Sequence, residues 1–391
     1  MTCWIETSAD GETTVRVLIT GGAGFIGRRL AKALAIRQDE VIVLDTLDPQ
    51  VHDDPETASA YLASVGAELR VGSIRDPEAV KSALAEVDAV VHLAALTGVG
   101  QSMYRATDYV DVNITGTAVL LDAMSSADQR PRRIVVASSR AIYGEGARRC
   151  TKCGPVLPGP RHVEDLDRGI WEPLCPSCGA PTDLATTPEE TPNSPSSIYA
   201  MSKFAQEELL AIVAPTIGVE WLALRLSNVY GTGQPLYNPY TGVLAVFANA
   251  ARSNKTIRIY EDGNIARDFV NVDDVVAAFV AALSGGTPGR VYNIGAGEQS
   301  RLDDVARSIV DALGSSSTIE YTGEFRVGDV RSFAPDLARA TSDLGYHPHV
   351  LLEDGVAEFA QWAARAENGD ADRASAELLE RGLLRRGGIK Q

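Results

Sequence analysis

Regular patterning begins at residues 15–20 (VRVLIT), a continuous apolar run of the kind a strand buried on both faces requires. The glycine cluster GGAGFIG follows at once, and then RRLAKALAI, so the segment reads as strand, tight turn and helix. A second apolar strand, VIVLD, ends at Asp45. Strand-like runs recur at ELRVGSI, DAVVHLAAL and RRIVVASS, separated by the helical stretches PEAVKSALAEV and VDVNITGTAVLLDAM. This alternation predicts an α/β fold built on a doubly wound parallel sheet. Ligands of such sheets lie at the carboxyl ends of the strands, which here carry Gly22, Asp45, Ser73, Ala94 and the pair Ser138/Ser139. From WLALRLSNVYG onward the alternation loosens into shorter elements with glycine and proline clusters, which predicts a smaller second α/β domain.

Gly22, Gly24 and Gly27 fit G-x-G-x-x-G, and Gly21, Gly24 and Gly27 fit G-x-x-G-x-x-G. A Cβ at these places would block the tight turn, the approach of backbone N–H groups to a pyrophosphate, or helix packing on the strand. A glycine-rich turn with no ligand satisfies the same letters, and the context is what adds weight. Asp45 lies 18 residues past Gly27, where a carboxylate accepts hydrogen bonds from an adenosine ribose and repels a 2′-phosphate, favouring NAD over NADP. Its alternative is a local cap. Sixty residues past Ser139, Tyr199 and Lys203 stand four apart on a predicted helix and share one face. A free phenol has a pKa of about 10, and a lysine ammonium together with an oxidised nicotinamide favours the phenolate, which could take a proton from a sugar hydroxyl. Tyr-x-x-x-Lys by itself is common by chance.

Composition narrows the class. Of 391 residues 45% are hydrophobic and 23% charged, globular values that exclude a disordered chain. The 36 basic and 52 acidic residues leave a net charge of −16, which argues against a nucleic-acid partner, so an anionic ligand must meet a few local arginines. No apolar run reaches membrane-spanning length and the first residues are polar, so a soluble cytoplasmic protein without a membrane partner is expected.

The motifs GGAGFIG, VVHLAA, SSRAIYG, YAMSK, RLSNVYG, RDFVNVDDV and RVGDVR occur in the order found in extended short-chain dehydrogenase/reductases acting on nucleotide sugars. The resemblance spans roughly residues 15–364 apart from one insertion, and it implies a Rossmann-like domain that binds NAD. It implies a catalytic triad of Ser139, Tyr199 and Lys203, with Lys203 also holding the nicotinamide ribose and Asn113 in a supporting role. Around the cofactor it places Gly21, Gly22, Gly24, Phe25, Ile26 and Gly27 of the turn. Asp45, Ser73, Ile74, Leu93, Ala94, Ala95 and Ser138 complete that set. For the nucleotide-diphosphate sugar it implies Asn228 near the diphosphate, Arg267 and Arg326 at the pyrophosphate or nucleotide ribose, and Arg140 beside Ser139. Forked guanidinium donors suit a diphosphate, although each arginine also fits a surface ion pair. The stretch TGVLAVFANAARSNKTIRIYEDGN, where relatives pack the pyrimidine, is compatible with uracil or thymine.

Nucleotide-sugar 4,6-dehydratases of this family carry Asp-Glu where this chain has Arg140-Ala141, and UDP-glucuronate decarboxylases carry Glu at Ala141. The resemblance therefore implies a 4-epimerase (isomerase) that oxidises C4, lets the 4-keto sugar rotate and returns hydride to the other face. A 4-ketoreductase, a UDP-hexose 4-epimerase and a non-enzymatic zinc-bearing NAD sensor or scaffold are the alternatives. Relatives pair helices equivalent to residues 108–124 and 198–213 across a two-fold axis, so a homodimer is expected.

Four of the five cysteines fall in an insert of about forty residues as Cys150/Cys153 and Cys175/Cys178, each Cys-x-x-Cys followed by glycine. Two such turns supply four thiolates for a tetrahedral structural zinc, with a redox pair as the rival and His162 as a loop residue. Zinc affinities of roughly 10 to 16 kcal/mol in small peptides are ample to order a loop with little core. A paired-cysteine insert after SSRAIYG resembles dTDP-L-rhamnose 4-epimerases, which makes a dTDP-deoxysugar such as dTDP-L-rhamnose the first expectation. The expected organisation is 15–146 for the first part of the NAD-binding domain, 147–187 for the zinc insert and 188–230 for the return to the first domain. Residues 231–366 form mainly the sugar-binding domain, with some strands returning to the first sheet, and 367–391 a tail. The tail is acidic and then basic, which predicts one exposed helix with a frayed end.

Overall fold

A computed structural model describes residues 14–52, 54–236, 242–366 and 371–387. Seven parallel strands form the main sheet: β1 (Arg16–Thr20), β2 (Glu40–Asp45), β3 (Glu68–Val71), β4 (Ala89–His92), β5 (Arg133–Ser139), β6 (Glu220–Leu226) and β7 (Arg290–Ile294). Their spatial order is β7-β6-β5-β4-β1-β2-β3. β1 therefore pairs with β2 on one side and β4 on the other, and the crevice between their carboxyl ends is the topological switch point.

Strand alternation distributes the core to both faces. Val17 and Ile19 pack with helices Phe25–Ile36 and Val272–Ser284 on one side. Leu18 packs with helices Pro77–Ala83, Gly116–Ser126 and Ile198–Thr216 on the other. A third apolar cluster joins helices Val243–Arg252, Leu302–Leu313 and Leu352–Ala363, and it forms the core of the second unit. Among the described residues no helix is long and apolar enough to cross a membrane.

Three departures from the sequence expectation have physical causes. Between residues 108 and 124 the helix is not uniform, because Val110–Thr115 forms a π-helical turn. Helix Pro55–Ser64, which the apolar pattern did not suggest, starts with a proline in its first turn and is capped by the Asp54 carboxylate accepting from Glu56 N–H. The tail is more than one exposed helix. After helix Ala371–Glu380 the chain turns at Gly382 (φ +66°), and Leu384–Arg386 pairs antiparallel with Glu324–Arg326. Leu384 is buried there while Arg385 and Arg386 face outward, so an edge strand had the composition of a polar end. Residues 367–370 and 388–391 of the tail lie outside the described residues.

Candidate active site

A cleft of about 750 Å³ opens at the carboxyl ends of the strands, against the second unit. Its floor is the turn after β1. Gly21 has φ +69°, and a Cβ there would stand 2.7 Å from the backbone nitrogen of Ala94. A Cβ on Gly27 would meet Gly22 Cα at 2.4 Å, so this glycine lets the first helix seat on the turn. That helix begins at Phe25 with no side-chain cap and no acidic residue in its first turn. Its N-terminal N–H groups and dipole are therefore available to an anion in the cleft.

Asp45 ends β2 with its carboxylate accepting from Ala23 N–H (3.0 Å) and Leu47 N–H (2.9 Å). His52 Nε2 is 3.6 Å away. The expected residues Gly21, Gly24, Phe25, Ile26, Gly27, Asp45, Ser73 and Ile74 all line the cleft. So do Leu93, Ala94, Ala95, Ser139, Arg140, Tyr199 and Asn228, whereas Gly22, Asn113, Ser138, Lys203, Arg267 and Arg326 lie behind its wall or beyond it.

Ser139 is the last residue of β5, and its hydroxyl accepts from Ala141 N–H at 3.2 Å, capping the short turn Arg140–Tyr143. Tyr199 sits in the first turn of helix Ile198–Thr216, which Ser197 caps through Ala200 N–H. Burial raises the Tyr199 phenol pKa, and a hydrogen bond with Ser139 and the positive charge of Arg140 oppose that rise. The Tyr109 and Tyr199 rings pack in a T-shaped pair with 6.5 Å between centroids. Lys203, one turn further on, is buried and donates from Nζ to the carbonyl of Ala137 at 2.8 Å. Burial depresses its pKa to about 7.

Asn113 lies in the π turn and is fully buried. Its Oδ1 accepts from Leu96 N–H (2.7 Å), and its Nδ2 donates to Leu96 O (3.1 Å) and Ser202 Oγ (2.8 Å). It therefore ties the loop after β4 to the helix of Tyr199 and acts as a positioning residue. A buried chain that the motif reading missed runs behind it. His92 contacts Thr20 Oγ1 (2.7 Å), Thr117 Oγ1 (2.9 Å) and Gln206 Nε2 (3.0 Å). Desolvation, with the nearby Lys203 charge, holds His92 down at about 3. The histidine was visible in VVHLAA, but nothing local announces its partners.

Arginines gather around Asp329, next to the Ser139 end of the cleft. Arg140 stacks its guanidinium over Phe333 at 5.6 Å, and among the described residues its buried Nη1 has no hydrogen-bond partner. Burial, then the Arg267 charge, lowers its pKa to about 10. Arg326 lies over Tyr260 at 4.9 Å with its Nε likewise unpartnered, and Asn228 Oδ1 is a third such atom. Arg267 differs, because its donors go to the carbonyls of Ala266 (3.0 Å), Val330 (2.6 Å) and Arg331 (2.7 Å). Its guanidinium holds protein backbone in this structure.

In the insert, strands Gly154–Val156, Arg148–Cys150 and Asp183–Leu184 form a small antiparallel sheet. The Sγ atoms of Cys150, Cys153, Cys175 and Cys178 lie within 4.8 Å of one another. Gly154 (φ +79°) and Gly179 (φ +70°) turn the backbone immediately after each pair, in a conformation that disfavours other residues.

The model of the NAD dependent epimerase/dehydratase family matches residues 17–162 and 176–295, and the chain belongs to that family. It is therefore an enzyme of the epimerase/dehydratase family, and its relatives and structural neighbours include nucleotide-sugar 4-epimerases. A dTDP-L-rhamnose 4-epimerase of Burkholderia thailandensis is 38% identical over 353 residues, covering 90% of this chain and 95% of the relative. The UDP-glucose 4-epimerase of Thermotoga maritima, solved with UDP-glucose, superposes with a TM-score of 0.72 at 28% identity over 89% of this chain and 98% of that one. The UDP-glucose 4-epimerase of Thermus thermophilus, solved with NAD, gives 0.72 at 27% identity over 90% and 100%.

Proposed function

We propose that this protein is an NAD-dependent epimerase that inverts C4 of a nucleotide-diphosphate sugar, with a dTDP-deoxysugar such as dTDP-L-rhamnose as first substrate. The observation that carries the reading is the pairing of Ser139 with Tyr199 in the cleft beside Arg140-Ala141, where no carboxylate follows Ser139 to eliminate water. The 38% identity to a dTDP-L-rhamnose 4-epimerase supports the choice of sugar. Bound NAD would supply a reversible hydride acceptor for the sugar carbon. Tyr199 takes the C4 hydroxyl proton as that carbon is oxidised and returns it after the ketone presents its other face. Ser139 donates to the same oxygen, and Lys203 keeps β5 and the catalytic helix in fixed relation through Ala137. The uncapped helix at Phe25 and the glycine turn would hold the pyrophosphate, and Asp45 would select the unphosphorylated ribose.

The four thiols suit zinc. A tetrahedral ion with Zn–S bonds of about 2.3 Å puts sulfurs about 3.8 Å apart, and the Cys150 and Cys178 Sγ atoms are 3.6 Å apart. Four cysteines fill the coordination shell, so the metal would be structural. Two exposed apolar side chains, Val110 (38%) and Ile212 (65%), on the π turn and the catalytic helix support a homodimer.

The test is a panel of dTDP, UDP, GDP and CDP sugars followed by proton NMR without added cofactor. Inversion confined to C4, abolished in Tyr199→Phe by at least about a hundredfold, is expected. Turnover that requires added reduced nicotinamide, or inversion at another carbon, would replace this reading.

A further inference from the structure

The loop 328–332 has no strand or helix of its own, yet five consecutive carbonyls are each held by a side chain. Gly328 accepts from Ser196 Oγ (2.9 Å), and Asp329 from Arg161 Nη2 (3.0 Å). Val330 and Arg331 accept from Arg267 (2.6 and 2.7 Å), and Ser332 from Arg148 Nη2 (3.0 Å). Two of these four donors belong to the cysteine insert. Arg148 lies two residues before Cys150 on the same short strand, and Arg161 lies between the two cysteine pairs.

Both arginines are buried and paired on their far sides. Arg161 meets Glu145 Oε1 (3.0 Å) and Glu261 Oε1 (2.8 Å) and donates to Trp171 O (3.0 Å). Arg148 meets Glu145 Oε2 at 3.1 Å. Glu145 also accepts from Arg331 N–H (3.0 Å), and Glu172 of the insert pairs with Arg331 Nε (2.8 Å). Such a network is stiff only while every member is in place, because a lost partner leaves a buried charge unpaired.

The same loop carries Asp329, whose carboxylate lies in the fields of Arg267, Arg326 and Arg140 as well as Arg161. Asp329 lies three residues past Arg326, the end of the strand paired with the tail, and its N–H donates to the Arg326 carbonyl at 3.2 Å. The insert's own apolar content is small, with Leu166 its buried aliphatic residue among the described ones, so its order depends on the thiol cluster.

We propose that the cysteine insert is a strut for the substrate loop: a metal held by the four thiols orders the ribbon, Arg148 and Arg161 hold the backbone of residues 328–332, and the positions of Arg326 and Asp329 at the nucleotide follow. Arg161 is then a positioning residue, and the four-thiolate site acts on nucleotide affinity from outside the cleft. The effect on the nucleotide rests on the epimerase reading above, whereas the mechanical coupling does not.

The experiment uses the full-length protein in three measurements. Metal content is determined on the purified chain, and hydrogen exchange at residues 327–332 is followed before and after chelation. Binding of dTDP and of UDP is measured by calorimetry on wild type, Arg161→Met and Arg161→Lys, with NAD content determined alongside. Chelation should speed exchange in the loop. Arg161→Met should weaken nucleoside diphosphate binding by about tenfold to a hundredfold while NAD content is kept, with Arg161→Lys between the two. Unchanged loop exchange after zinc removal overturns the strut even if Arg161→Met does not fold, and so does a folded Arg161→Met with wild-type nucleotide affinity. A protein that carries no metal overturns the metal half. Faster loop exchange in a wild type that binds neither dTDP nor UDP would leave the strut standing and remove the reading of a dTDP- or UDP-sugar substrate.

Discussion

Arg140 changes how the Tyr199 phenol and its proposed role as base are understood. A lysine four residues along the helix is the expected cation for Tyr199, but Lys203 directs its ammonium at the carbonyl of Ala137. Burial raises the Tyr199 pKa, and what lowers it again is first the Ser139 hydrogen bond and then the Arg140 charge. The groups around this phenol are Ser139 and Arg140 from the end of β5 and the turn after it, the Tyr109 ring, and Lys203 on its own helix. Removing a positive charge disfavours the phenolate, so Arg140→Met should move the acid limb of kcat/KM to higher pH by roughly one unit. Arg140→Lys should restore most of it. The check is a pH–rate profile on the three proteins, and coincident acid limbs would show that Arg140 has no electrostatic part in the chemistry. Its unpartnered Nη1 would then be read as a sugar contact alone.

At the scale of elements, the Tyr199 helix is fixed to the sheet by polar contacts inside an apolar layer. Thr20 on β1, His92 on β4 and Thr117 and Gln206 on two helices form one buried chain. His92 stays neutral in the fold, with its pKa down at about 3, while the unfolded chain binds a proton near 6.5. Stability should therefore fall as pH drops through 6.5 toward 3, by about 1.4 kcal/mol per pH unit from this group. His92→Gln removes that slope, so wild type should lose about 2 kcal/mol more than the variant between pH 7 and 5 in urea unfolding. Equal losses would mean the acid sensitivity lies elsewhere. The glycine turn, Asp45, Ser139 and the Tyr199 helix were legible in the sequence because each depends on neighbours a few residues away and on strand period. The His92 chain was not, since His92 meets Thr20 across 72 residues and Gln206 across 114. Arg267 shows the same limit from the other side, because its motif announced an arginine but not that its donors would go to carbonyls.

At the scale of the whole molecule, a net charge of −16 contrasts with a local group of arginines around Asp329, with Arg140 lining the cleft and Arg267 and Arg326 beyond its wall. For the proposed dimer, surfaces of like charge favour apolar contacts. Ile212 lies on the Tyr199 helix, and Val110 on the π turn that Asn113 ties to that helix. Sedimentation should show a dimer that Ile212→Asp shifts to monomer, and a monomeric wild type would end the dimer proposal. The pairing of Glu324–Arg326 with Leu384–Arg386 has a consequence of its own, because the partner strand follows Arg326 by some sixty residues of chain. During synthesis the seven-stranded sheet has all its strands once residue 294 has emerged, well before that partner leaves the ribosome. A nascent chain would thus acquire its dinucleotide pocket first and its second binding half last, and stalled translation products ending between 300 and 380 should retain the former while failing to take up the sugar nucleotide.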